Sequence, residues 1–268
     1  MKNIILFALL SFSVVGCVSA PKGPQALELK SPQAPSLSAY RSISLSREFE
    51  GEQMTKEKSE AVDFIVESKP VDQPSGSDVE VIVTTVAKNG VIDLHDYAFP
   101  ELNESIEFHY QKNGRVLKAG SFQRQSLFFV PPLPLPEGPV EKGDTWSLEH
   151  RWASSSGIEL QLNIIGIHKG FRKCPKEFSP CAVIEVSGSV EPAFERVVGL
   201  NIDSKISGEL LFSLAQGEVY SSEVLSNEVL SFPNRKIISQ SCMISVPAES
   251  KELKNVKFPR CEKVKQPL

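Results

Sequence analysis

The sequence lacks the motifs by which most enzymes are recognised. It contains no glycine-rich phosphate loop, no His-Glu-x-x-His helix motif and no Gly-x-Ser-x-Gly elbow, and its four histidines stand apart from one another. These absences argue against the commonest nucleotide-binding, zinc-dependent and serine-dependent enzyme classes. We therefore predict a protein that is not an enzyme and that uses neither a metal ion nor a cofactor.

Two acidic groups come closest to a catalytic pattern. Asp93-Leu94-His95-Asp96 combines carboxylates with an imidazole, but a polar turn before Pro100 accounts for the same residues. Glu101 and Glu104 form a pair of carboxylates such as glycosidases use, although nothing in the sequence places them across a cleft. We interpret the first group as a polar turn and the second as one of the acidic pairs that are frequent in proteins.

Positive charge is also in short supply. The chain has 29 Lys and Arg against 33 Asp and Glu, a net charge of −4, whereas proteins that bind nucleic acid usually carry a basic surplus or stripe. Nucleic acid is therefore not expected as a partner. Residues 249–268 are locally basic and could contact anionic headgroups or cell-wall polymer, although we favour a solvated tail.

Long apolar runs are absent except at the N-terminus. Lys2 precedes an apolar run from Ile4 to Val15, which is shorter than the roughly 20 residues that a membrane-spanning helix needs. A positive residue followed by a short apolar run is typical of a secretory signal peptide. We predict that residues 1–16 are removed after export and that the rest of the chain works outside the cytoplasm.

The end of this run, Val14-Val15-Gly16-Cys17, resembles the lipobox of bacterial lipoproteins. The resemblance implies that the Cys17 thiol carries diacylglycerol and that the freed amine takes a further acyl chain such as palmitate. It also implies sorting to the outer membrane, because Val18 replaces the aspartate that favours retention at the inner membrane. The alternative is an ordinary leader cut after Ala20, which Pro21 disfavours because proline fits an extended protease cleft poorly.

Residues 17–38 are rich in proline, alanine, serine and glutamine. Four prolines in this stretch oppose regular structure, so we interpret it as a lipidated tether. At about 3 Å per residue, such a tether could hold the folded part roughly 60 Å from the bilayer.

Alternation of apolar and polar residues dominates the rest of the chain. The range 158–164 alternates strictly, and Asn113-Gly114 between two such runs is a strong hairpin signal. Residues 53–61 contain many helix formers, but the β-branched residues that follow favour a hairpin, and residues 128–130 suggest a short strand. We predict a mainly β fold, either an antiparallel sandwich or a strongly curved sheet.

A proline-rich connector, residues 131–144, separates an N-terminal β half (39–130) from a C-terminal β half (145–248). We favour a stiff spacer over a ligand for an SH3-like groove. A weak echo between residues 108–116 and 212–219 fits either two related halves or chance similarity between hairpins. The segment Pro139-Val140-x-x-Gly143-Asp144-x-Trp146 resembles one in uncharacterised envelope β-domain lipoproteins, and this resemblance implies no activity.

Four cysteines remain once Cys17 is assigned to lipid. An even number in an oxidising compartment suggests disulfides, and of the three possible pairings we favour nearest neighbours, Cys174 with Cys181 and Cys242 with Cys261. A four-cysteine zinc site is the alternative, but the sequence lacks the close C-x2-C pairs that such sites usually show.

These observations predict a lipid-anchored protein of the bacterial cell envelope, located at the outer membrane, with a non-catalytic binding or structural role. The expected partners are the membrane, through the anchor, and an envelope protein or cell-wall polymer. Two alternatives stay open. A carrier of lipid or another hydrophobic ligand, comparable to lipoprotein-localisation factors, would need an apolar groove on a concave sheet, and an envelope hydrolase would need polar groups converging in a cleft.

Overall fold

The computed structural model describes residues 21–72, 79–131, 135–154, 157–174, 179–193, 199–249 and 260–265. These ranges contain eleven strands: β1 (Ser36–Glu50), β2 (Gln53–Pro70), β3 (Val79–Asn89), β4 (Ser105–Tyr110), β5 (Val116–Ala119), β6 (Thr145–Ala153), β7 (Glu159–Lys173), β8 (Pro180–Pro192), β9 (Asn201–Ser213), β10 (Glu218–Ser231) and β11 (Arg235–Pro247). Three short 3₁₀ helices, Leu94–Tyr97, Leu127–Phe129 and Cys261–Lys265, complete the regular structure. No helix in the described ranges has the length and hydropathy that a membrane span requires.

All eleven strands belong to one antiparallel sheet with the order β5-β4-β3-β2-β1-β11-β10-β9-β8-β7-β6. The chain starts in the middle at β1, runs outward to the edge strand β5, crosses to the opposite edge at β6 and returns to β11 beside β1. The two edge strands are not paired, so the sheet stays open. The prediction of a mainly β, curved-sheet fold is confirmed.

Over β2 to β4 and β7 to β9, the alternation in the sequence places most of the buried apolar residues on one face, which we call the inner face. Phe64 on β2 is 2% exposed and Ile184 on β8 is 0% exposed, and the strand register puts both on this face. Such alternation is what an antiparallel sheet with one buried side requires. Residues 53–61, for which a helix was the alternative, form the first half of β2.

The segment after β5 bridges the gap between the two edges. The 3₁₀ helix Leu127–Phe129 contacts both β5 and β6, and the backbone N–H of Ala153 donates to the carbonyl of Gln125 at 2.7 Å. The prediction of a strand at residues 128–130 is wrong. Phe128 and Phe129 are both buried, whereas adjacent residues of a strand would point to opposite faces.

The sheet has two ends, which carry different loops. The near end, where the chain enters β1, carries the turns 111–115 and 214–217 and the loop between β7 and β8. The far end carries the turns 51–52 and 232–234 and the loop 90–104.

The N-terminal segment packs against the near end. Leu27 is 1% exposed and joins the core formed by β7, β8 and β9, and Gln25 pairs with Val140. The prediction of a lipidated tether covered residues 17–38, of which 17–20 lie outside the described residues; within the described part, residues 25–30 are bound to the sheet and β1 begins at Ser36.

The two predicted β halves are one continuous sheet. β1 pairs with β11 from Ser38–Pro247 to Glu50–Arg235, which joins the N-terminal strands to the C-terminal ones. The described part of the connector packs on the inner face through Leu135 and Val140, at 5% and 8% exposure. Whether the halves are related by duplication stays a prediction.

The C-terminal residues cover part of the outer face. Cys261 and Val264 are 3% and 2% exposed, and they pack against a small apolar cluster that includes Ile43, Leu225 and Ile244. Most of the predicted basic tail, residues 250–259 and 266–268, lies outside the described residues.

Candidate functional site

The candidate site is the inner face of the open sheet, which carries most of the buried apolar residues. Over β2 to β5 it is filled by the chain itself, because Leu94 and Phe128 come from connecting loops and are 0% and 4% exposed. Over β7 to β9, Leu27 has the same role from the N-terminal segment. The burial of these residues gives the two flanks of the inner face, on either side of the central strands, the character of a packed core.

One part of the inner face leaves apolar side chains only partly buried. These residues surround the core of the C-terminal strands and include Trp146, Leu148, Trp152, Val190 and Ile206. Both tryptophans of the sequence therefore lie on the inner side of the edge strand β6. Partly exposed aromatic and aliphatic side chains are the lining that apolar ligands prefer.

The central strands give the inner face a polar lining. Ser222 and Ser245 share a hydrogen bond at 2.7 Å, and Ser42, which is 1% exposed, donates to the Tyr97 hydroxyl at 3.0 Å. Ser204 is 5% exposed, and its hydroxyl has no partner among the described residues. The strand register places further serines on the same face, namely Ser44, Ser46, Ser226, Ser239 and Ser241.

The Pro-Val-x-x-Gly-Asp-x-Trp segment has a structural role. Val140 pairs with Gln25, and Asp144 accepts a hydrogen bond from the backbone N–H of Glu141 at 2.8 Å, which closes a turn around Gly143 at φ +100°. Trp146 then lies over Gly166, where an added Cβ would be 2.5 Å from the indole ring. Asp144 is therefore a turn residue.

The structure brings together the acidic residues and the histidine of loop 90–104. Nε2 of His95 lies 2.6 Å from a carboxylate oxygen of Glu104, and that oxygen accepts the backbone N–H of Glu101 at 2.7 Å. Glu101 binds Lys88 at 2.6 Å and accepts the backbone N–H of Leu94. This network connects both ends of the loop to β3.

Electrostatics keep these carboxylates ionised. Burial alone would raise the pKa of Glu101, but the hydrogen bonds from Lys88 and from the backbone N–H groups of Leu94 and Leu102 lower it to about 2. Burial opposes ionisation of Glu104 too, and the hydrogen bonds from His95 and from the Glu101 N–H outweigh it and lower the pKa. A general acid needs a raised pKa, so the arrangement suits loop fixation better than proton donation.

Asp93 completes the loop without joining a metal-binding group. Its carboxylate accepts the backbone N–H of His95 at 2.9 Å and caps the 3₁₀ helix Leu94–Tyr97. The interpretation of Asp93–Asp96 as a polar turn fits this geometry.

Two other histidines lie on the inner face. His168 is 0% exposed, and neither ring nitrogen has a partner among the described residues. The pKa of His150 is lowered mainly by burial and further by the nearby positive charge of Arg115.

The four cysteines that follow Cys17 form the two nearest-neighbour disulfides. Cys174 and Cys181 have Cα atoms 5.0 Å apart, and Cys242 and Cys261 have Cα atoms 5.3 Å apart. Glu223 lies beside the second bridge and offers a third metal-ligand atom, but both sulfurs there are bonded to each other. The lipidation candidate Cys17 lies outside the described residues.

The comparisons with known proteins add no assignment. No protein-family model matches the chain, and no curated protein sequence matches it. The site is therefore assessed on its own geometry.

Sequence reasoning missed the inner serines and the buried Leu27. The run Ser42-Ile43-Ser44-Leu45-Ser46 on β1 carried the first signal, since its small polar residues alternate with apolar ones. For Leu27 no local signal exists, because one leucine in a polar, proline-rich segment has no periodic neighbours.

Proposed function

We propose that the protein is a lipid-anchored component of the bacterial cell envelope that acts by binding or by structural support rather than by catalysis. The observation that carries this proposal is the filling of the inner face by the chain's own segments, with Leu27 and Leu94 at 1% and 0% exposure. The acidic loop adds support, since its carboxylates are held by Lys88, by His95 and by backbone donors.

The proposed compartment rests on chemistry at both ends of the chain. The leader and the Val14-Val15-Gly16-Cys17 sequence resemble those of lipoproteins, and two disulfides suit an oxidising compartment. Two or three acyl chains at Cys17 would hold the protein to a leaflet, whereas one chain binds only marginally.

The test is the variant Cys17→Ser, with Ser19→Ala as the matched control. Cys17→Ser is expected to lose incorporation of labelled palmitate and to move from the membrane to the soluble fraction, whereas Ser19→Ala keeps both. Unchanged membrane attachment of Cys17→Ser would refute the anchor. Crosslinking in intact cells followed by mass spectrometry would then name the neighbours that the binding role requires.

A carrier of an apolar ligand is the second candidate, and the partly exposed lining around Trp146 and Trp152 favours it. Because these are the two tryptophans of the chain, their fluorescence reports on this region. A saturable blue shift on adding a fatty acid, together with lipid bound to the purified protein, would support the carrier. An unchanged spectrum would support the scaffold.

A further inference from the structure

The point at which the chain becomes fixed to the sheet is Gln25. Its backbone N–H donates to the carbonyl of Val140, and the N–H of Val140 donates back, both at 2.9 Å. Two residues later Leu27 is almost completely buried in the core. A double backbone hydrogen bond followed by a buried leucine holds this position against the sheet.

The next residues cross the near end and contact two separate hairpins. The N–H of Leu29 donates to the carbonyl of Lys112 at 2.7 Å, and the N–H of Lys30 donates to that of Gly217 at 3.0 Å. The Lys30 ammonium also donates to the carbonyls of Leu214 and Ala215, at 2.8 and 3.1 Å. Residues 25–30 are therefore hydrogen-bonded to three parts of the fold: the segment before β6, the β4–β5 turn and the β9–β10 turn.

These hydrogen bonds limit the free chain between Cys17 and the sheet. Eight residue steps separate Cys17 from Gln25, and they can span at most about 29 Å when fully extended. The strand β7 alone has 15 residues, which corresponds to roughly 50 Å from the near end to the far end. The free chain is thus shorter than the sheet is long.

We infer that the near end of the sheet faces the bilayer surface and that the far end points away from it. This inference rests on the proposed lipid anchor at Cys17. The near end carries the exposed Lys22, and the Lys112 ammonium there lies 3.4 Å from the Glu28 carboxylate with 58% of the lysine side chain exposed. The far end presents the β1–β2 and β10–β11 turns to partners farther from the membrane.

The outer face of the sheet is not suited to contact a bilayer. The outer face carries opposed charges that pair with each other, as Arg41 does with Asp63 at 2.6 Å and Arg172 with Glu209 at 3.0 Å. The far end carries exposed apolar side chains, among them Val91 at 92%, Met54 at 51% and Phe232 at 40% exposure. These side chains would contact lipid in the opposite orientation.

The experiment measures the distance of each end from the membrane. A dye is placed on Lys112→Cys at the near end or on Asn234→Cys at the far end, both exposed positions, while the four native cysteines after Cys17 stay in their disulfides. The lipidated full-length protein is incorporated into vesicles of phosphatidylethanolamine and phosphatidylglycerol that contain a headgroup-labelled acceptor lipid. Energy transfer is expected to be several-fold higher from position 112 than from position 234.

A longer free chain should weaken this difference. Inserting a 20-residue Gly/Ser linker between Gly23 and Pro24 keeps the hydrogen bonds of residues 25–30 and lets the near end move away from the bilayer. Energy transfer from position 112 should therefore fall. Equal transfer from both ends, or higher transfer from position 234, would overturn the orientation while leaving the anchor in place. Failure of the protein to float with the vesicles would overturn the anchor, and the orientation with it.

Discussion

The packing of the N-terminal segment makes a quantitative prediction about Leu27. The substitution Leu27→Ala removes an isobutyl group that is 1% exposed from the core of the C-terminal strands. The matched control is Leu37→Ala, the same chemical change at a side chain that is 44% exposed. The two variants therefore differ in burial and not in the atoms removed.

The expected loss follows from the burial. Truncating a buried leucine to alanine lowers the free energy of unfolding by about 2–5 kcal/mol. For Leu27 we expect about 3 kcal/mol, because the N-terminal segment can shift and partly fill the cavity that the truncation leaves. For a chain of this size that corresponds to a melting temperature lower by roughly 6–12 °C. Leu37→Ala should stay within about 0.5 kcal/mol of the parent.

The assay is urea unfolding followed by tryptophan fluorescence, with calorimetry for the melting temperature. Trp146 suits the assay because it lies on the inner face near the core that Leu27 joins. Equal stabilities for the two variants would refute the reasoning. Residues 25–30 would then be a free tether, and the orientation inferred from them would lose its basis.

Three further predictions concern buried or paired groups. Glu101→Gln should destabilise the protein by about 1 kcal/mol at pH 7, because Lys88 loses an ionised partner that is one-third exposed. Since the pKa of Glu101 is lowered from 4.5 to about 2, this difference is fully present above pH 4.5 and should vanish as the pH falls to 2; a pH-independent difference would contradict the assignment. Replacing Cys242 and Cys261 together with Ala should lower stability by about 3 kcal/mol, as expected for a bridge across 19 residues, and an unaltered urea midpoint would show the bridge to be absent. His168→Leu should raise stability by about 1 kcal/mol, because it removes two buried nitrogens without partners, and a loss of stability would show that the imidazole has a partner.

The strands could be predicted from the sequence because each carries its own periodicity. Residues 158–164 alternate without interruption, and the structure places β7 there. The Asn113-Gly114 turn likewise joins β4 to β5. These signals are local, so reading them does not depend on knowing which strands become neighbours.

The pairing of β1 with β11 could not be read from the sequence. Their paired residues lie about 200 positions apart, and alternation is the same whichever partner a strand takes. A sandwich and a curved sheet therefore remained equally consistent with the pattern. The connector shows the same limit, since its prolines predict stiffness and do not reveal that Leu135 and Val140 are buried.

The acidic loop illustrates what composition can and cannot indicate about a site. Asp93, His95, Glu101 and Glu104 stand near one another in the sequence, and the structure does bring them into one network. The motif does not include Lys88 or the backbone donors, and these groups keep the carboxylates ionised. The chemistry of the group is thus set by partners outside the motif.

The free edge of β2 shows how an open sheet of this size avoids pairing with itself. Among the described residues, β2 is paired with β3 only from Asp63 onward, so residues 53–62 have a strand on one side alone. Two copies that paired antiparallel over residues 53–61 would be centred on Glu57. That register sets Glu57 opposite Glu57 and Lys56 opposite Lys58, and like charges directly across a strand pair are destabilising. The charges along this exposed stretch therefore disfavour pairing of two copies in that register.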